Sequence, residues 1–135
     1  MSPEENKALI RSFWEELYVK GNLAVIDQFV ASDVIDHNPL PGQGPGVEGA
    51  RQLFARFRTA FPDAQISIED IVAEGDKVAI RTSVCATHRG NFMGIAPTGK
   101  TVSTSGIEII RIASGKMVER WGISDDLGLM RQLGG

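Results

Sequence analysis

The hydrophobic pattern of this 135-residue chain changes period once, near Pro62, and that change limits the folds open to it. Before it, apolar residues recur at helical spacing; after it, they alternate with the period of two that strands require. Leu9, Ile10, Phe13, Trp14, Leu17 and Tyr18 form one wide face of a first helix. Ser2, Pro3 and Glu5 open it as cap, first-turn proline and capping-box partner, and it is expected to end near Gly21. Asn22 begins a short second helix carrying Leu23, Ile26, Phe29 and Val30, which stops around Ser32 or Asp33. The following stretch, DVIDHNPLPGQGPGVEG, holds three prolines and four glycines and reads as irregular. A third helix runs from about Val47 to Phe61, with Leu53, Phe54, Phe57 and Phe61 on one side and Pro62 as its stop.

In the second half, Gln65 to Ala73 and Lys77 to His88 read as strands around the turn Glu74-Gly75-Asp76. Thr101 to Ile112 and Lys116 to Ser124 form a second pair, joined by Ala113-Ser114-Gly115. Successive pairs can hairpin into an antiparallel sheet. Helices first and strands last predict an α+β architecture with the helices on one face of the sheet, in a single domain over residues 1–135. A curved sheet leaves a convex face, and Val102, Ile107, Ile109 and Ile110 put apolar side chains on both faces of one long strand, which predicts a homodimer.

Composition excludes several functions. The net charge of −3, with Lys and Arg scattered singly, argues against nucleic acid as a partner. No segment approaches the roughly 20 apolar residues that span a bilayer, and the acidic, amphipathic start is unlike a secretory signal. Cys85 is the one cysteine, so no intrachain disulfide forms and a reducing cytoplasm is the expected setting.

Unbroken alternation along the last strand places Met117, Glu119, Trp121, Ile123 and Asp125 on one face, two carboxylates in an apolar row. Such a row ends at solvent or lines a pocket in which a carboxylate works. Asp125 therefore reads either as a general base or as the cap of the turn Leu127-Gly128-Leu129, a role open equally to Asp126. Glu119 reads as a pocket carboxylate or, more simply, as the ion-pair partner of Arg111 or Arg81 on a neighbouring strand. A pocket lined by Phe13, Trp14, Leu17, Phe54, Phe57, Trp121 and Ile123 is expected where the apolar faces meet. His37 and His88 stand at element ends, where functional residues collect, but no local spacing among them matches a metal-ligand motif. The glycines between 42 and 49 fit neither a dinucleotide nor a P-loop pattern, and Cys85 lacks a CxxC partner.

The run HRGNFMGIAPTGKTVSTSGIEIIRIASGKMVERWGISDDLGLMRQLG resembles the SnoaL-like polyketide cyclases, also called ester cyclases, of the NTF2-like superfamily. FVASDVIDHNP, GVEGARQLFARFRTAFPDAQISIEDIVAEGDKVAIR and the opening helix resemble the same family. The resemblance implies an NTF2-like cone, a curved antiparallel sheet wrapped around three helices over an apolar pocket. It also implies an intramolecular aldol closure of a hydrophobic, polyketide ester-like carbonyl compound, without cofactor or metal, with an aspartate on the final strand as acid/base. That role falls on Asp125, with His37 matching the family's Asp-His and with Arg111 and Glu119 as candidates to position the carbonyl. Where family members often read Glu-His-Trp, this chain has Glu119-Arg120-Trp121. Two other functions fit the same cone: a non-catalytic binder of small hydrophobic ligands, and a dehydratase or epoxide hydrolase, which needs Tyr, Asn, Arg and Asp converging on a water. Tyr18 is the one tyrosine available for the latter.

Overall fold

The computed structural model describes residues 1–134, and in it the two periodicities become the two layers of an α+β cone. Strands β1 (Val30–Asp36), β2 (Gln65–Glu74), β3 (Lys77–Thr87), β4 (Thr101–Ala113) and β5 (Lys116–Ser124) form one sheet in the order β1-β5-β4-β3-β2. The β4–β5 hairpin turns through Ser114 and Gly115, both with φ in the left-handed region, which suits the twist of the flanking strands. Helix α1 (Pro3–Trp14) starts on the expected capping box: Ser2 Oγ accepts from Glu5 N–H, and Glu5 accepts in return from Ser2 N–H. It continues as a π-helical turn, Glu15–Val19. Helices α2 (Val25–Phe29) and α3 (Gly46–Ala60) complete the layer that fills the concave face. Trp14 fixes α1 to the sheet by donating its indole N–H to the Ile66 carbonyl at 3.1 Å.

Three expectations need correction. The segment read as the end of the second helix followed by irregular chain contains β1, which pairs in parallel with β5, so the sheet is not wholly antiparallel. Its alternation is short and interrupted by charge, and only the distant β5 makes it a strand. The last segment is not a turn but a helix, α4 (Asp126–Gln132), whose Leu129 joins Phe61, Ala86, Val102 and Leu133 in a second core. The main core gathers Ile10, Phe13, Leu17, Ile26, Val78, Ile80 and Ile110 between α1, α2 and the sheet.

The third correction concerns β5. Ile112 pairs with Met117 but Arg111 pairs with Glu119, so an extra residue, Val118, is accommodated by a bulge. A bulge moves every later side chain to the other face. Met117 points inward, but Arg120, Gly122 and Ser124 follow it there, while Glu119, Trp121 and Ile123 lie opposite Arg111, Ile109 and Ile107 on the convex face.

Candidate active site

The helices and the concave face enclose a cavity of about 1210 Å³. Phe13, Trp14, Leu17, Phe54 and Phe57 line it, together with Ile110 and Met117. Trp14 and Tyr18 lie with ring centroids 4.6 Å apart, and Tyr18 and Phe54 at 5.8 Å, so one end of the cavity has a nearly continuous aromatic wall.

The other end is charged. Arg120 projects from β5 between Glu108 of β4 and Asp36 at the end of β1. Its Nε donates to Glu108 Oε1 at 2.5 Å, and its Nη1 donates to both Asp36 oxygens at 3.0 and 3.2 Å. Burial alone lowers the guanidinium pKa, but the two carboxylates outweigh it and raise the net value, so Arg120 stays charged. Gly122 makes room for it: a Cβ there would sit 2.7 Å from Arg120 Cζ and 3.0 Å from Nη1. Asp36 is fully engaged, accepting also from Asn38 N–H at 3.0 Å and Gln43 Nε2 at 3.1 Å. Glu108 is different: among the described residues no donor meets its Oε2. Tyr18, carried into the cavity by the π-helical turn, has its hydroxyl held protonated by burial and then by the Glu108 charge. This end of the cavity therefore offers a phenolic donor, a guanidinium and a carboxylate oxygen with free lone pairs.

The sequence reading assembled a different set of polar residues. Asp125 does not face the cavity; it is the N-cap of α4, its Oδ1 accepting from Gly128 N–H at 3.0 Å, while Asp126 reaches the cavity rim. Glu119, Arg111 and His37 form a network on the convex face. There Arg111 Nε donates to Glu119 Oε1 at 2.5 Å and His37 Nε2 to Oε2 at 2.8 Å. The hydrogen bonds from His37 and then from Arg111 hold the Glu119 carboxyl below its usual range. Trp121 is stacked on His37 at 4.7 Å, outside the cavity, and Ile123, 74% exposed, touches only the rim. The unbroken alternation assumed for β5 accounts for the Asp125, Glu119, Trp121 and Ile123 displacements together. Arg111 is on that face through the alternation of β4 itself, and the bulge brings Glu119 out to meet it and His37.

His88 is fully buried, its Nδ1 accepting from Thr98 N–H at 3.2 Å, and it anchors the 89–99 loop without lining the cavity. No group of three His, Cys, Asp or Glu among the described residues is placed to hold a metal ion. The residues missed by the sequence reading are Asp36, Gln43, Glu108 and Arg120. The available signal was Glu108, which shares a strand face with Val102, Ile110 and Ile112 and so requires a cation inside.

The chain and its fold are similar to known proteins. Aklanonic acid methyl ester cyclase DauD of Streptomyces sp. (strain C5) is 30% identical over 112 residues, covering 82% of this chain and 67% of its own. Among solved structures, AclR of Streptomyces galilaeus, provisionally a hydroxylase, superposes with a TM-score of 0.84 at 33% identity over 98% of each chain. IdmH of Streptomyces antibioticus, provisionally a polyketide cyclase, does so with 0.80 at 29% identity over the full length of both. The SnoaL-like polyketide cyclase model matches residues 8–133, and the chain belongs to that family.

Proposed function

We propose that this enzyme closes a ring in a hydrophobic, polyketide ester-like carbonyl compound by intramolecular aldol chemistry, with a cavity carboxylate moving the proton. The carrying observation is the division of one large cavity into an aromatic end and a charged end. The aromatic end folds a flexible substrate so that its reacting carbons meet, and the charged end deprotonates one of them and stabilises the resulting oxyanion. The likeness to aklanonic acid methyl ester cyclases supports the same chemistry. Incubation with aklanonic acid methyl ester, followed by chromatography and mass spectrometry, tests it: a product of unchanged mass and altered retention is expected. Binding without turnover would support the non-catalytic reading instead.

A second reading is favoured by one observation, the carboxylate–guanidinium–carboxylate arrangement with Tyr18 and Gln43 beside it. That set can also hold and activate a water for epoxide opening. Incorporation of ¹⁸O from labelled water into a diol product would select it.

We also propose a homodimer through the convex face, acting in a reducing compartment that suits the exposed Cys85 thiol. Ile35, Ile107, Ile109 and Ile123 are exposed there around Trp121, and an isologous pairing would cover them. Light scattering should give twice the chain mass at micromolar concentration, and Ile107→Lys with Ile123→Lys should give the monomer. A wild-type monomer refutes the pairing.

A further inference from the structure

We infer that Glu108 is the carboxylate that takes and returns the proton, with Arg120 exchanging its charge from Glu108 to the substrate oxygen and Asp36 acting only to hold Arg120 in place. The assignment of a reaction to this site rests on the cyclase reading, but the division of labour among the three residues rests on their own geometry.

Asp36 and Glu108 contact the same guanidinium and differ in what else they touch. Asp36 accepts from two nitrogens besides Arg120, the Asn38 amide and Gln43 Nε2, so both of its oxygens are occupied. A carboxylate in that state has no lone pair directed at a substrate. Glu108 accepts at Oε1 alone, and its Oε2 is free of protein donors among the described residues. It also lies within electrostatic reach of the Tyr18 hydroxyl, across the cavity from β4. Two carboxylates in unlike environments divide into a fixed ion and a proton carrier.

The charge balance is consistent with this. With both carboxylates ionised, the trio carries one net negative charge, so a free enolate would be repelled from it. Transfer of the substrate α-proton to Glu108 Oε2 breaks the C–H bond and sends its electron pair to the carbonyl oxygen. The net charge of the site and substrate together is unchanged. Glu108 is now neutral and needs Arg120 less, while the new enolate oxygen needs it more, and Arg120 Nη2 has no protein acceptor among the described residues. The enolate carbon then attacks the second carbonyl, the C–C bond forms, and the alkoxide recovers the proton from Glu108. Nothing is consumed, as a ring closure by isomerisation requires.

The test uses 4-nitrophenol, an enol mimic whose ionised form is coloured, with infrared difference spectra recorded on binding. Wild type should bind it as phenolate while the carbonyl stretch of one protonated carboxyl appears. Glu108→Gln should lose that stretch and Asp36→Asn should retain it. In parallel, Glu108→Gln should lower cyclisation of aklanonic acid methyl ester by about 10²–10⁴. Retention of the stretch in Glu108→Gln, its loss in Asp36→Asn, its absence in wild type, or failure of the phenol to bind overturns the assignment. If Glu108→Gln does not fold, wild type and Asp36→Asn still decide it. An ester left unchanged by wild type, with the infrared pattern as expected, refutes the cyclase reading and leaves the proton carrier assigned.

Discussion

Gly122→Ala is the most economical perturbation of the charged end of the cavity, because it adds one carbon and removes no interacting group. The added Cβ would overlap the Arg120 guanidinium, which lies 2.7 Å from it at Cζ and 3.0 Å at Nη1. An arginine tip is ordinarily free to swing away, but this one is held by Glu108 on one side and Asp36 on the other. Moving it breaks at least one charge-assisted hydrogen bond, each contributing about 1.5–3 kcal/mol when well formed. The side chains concerned are 15–28% exposed, so water at the cavity recovers part of this and about 1–3 kcal/mol remains. Replacing a strand glycine by alanine returns about 0.5–1 kcal/mol through the unfolded chain. The net expectation is a destabilisation of about 1–2 kcal/mol in urea unfolding and a fall in Tm of about 3–8 °C. A double-mutant cycle with Arg120→Ala isolates the cause: without the guanidinium, Gly122→Ala should be neutral or stabilising. An equal cost in both backgrounds would mean that the glycine serves the backbone and not Arg120, and the reasoning would fail.

Two further outcomes separate the faces of the sheet. Asp125→Ala should destabilise the protein by about 0.5–2 kcal/mol through loss of the α4 cap, and lower turnover of the folded enzyme by less than about tenfold. A loss of about 10²–10⁴ with the fold intact would return the acid/base role to Asp125. Glu119 has a folded-state pKa below its unfolded value of about 4.5, so the stability it contributes is present above that pH and is lost as pH falls through the lowered value. Glu119→Gln should accordingly flatten the acid side of a Tm-against-pH curve below the unfolded value, and an unchanged slope there would show that His37 and Arg111 do not hold it.

The fold was largely legible because its longest elements repeat their patterns. Strand β3 alternates Val78, Ile80, Thr82, Val84 and Ala86 without a break, and α1 with the π-helical turn that continues it carries a capping box and six apolar residues at helical spacing. The aromatic wall was legible for the same reason, since Phe13, Trp14, Leu17, Phe54 and Phe57 lie on the apolar helix faces that turn toward the core and the cavity. Strand β1 was not legible, because a strand at the edge of the sheet beside a Pro/Gly segment owes its conformation to a partner more than 80 residues away. With β1 went Asp36, and Arg120 was misplaced by the bulge at Val118, which leaves no mark in composition or hydrophobicity.

Charge, however, does leave one. Strands β4 and β5 each carry one Glu and one Arg near the same level: Glu108 and Arg111 on the first, Glu119 and Arg120 on the second. With unbroken alternation from Met117, Glu119 would join Glu108 on the inner face, and Arg120 would join Arg111 outside. Two carboxylates would then be buried together without a cation, while two guanidinium groups stood as diagonal neighbours on the convex surface. Like charges brought together in this way are destabilising on a sheet, and an unpaired buried carboxylate costs more again. One inserted residue resolves both conflicts at once, pairing Arg120 with Glu108 inside and Arg111 with Glu119 outside. The bulge is therefore the feature that makes the charged cavity possible. It also explains why Arg120 comes to face the cavity: it sits on the inner side of the bulge, between the two carboxylates it holds apart.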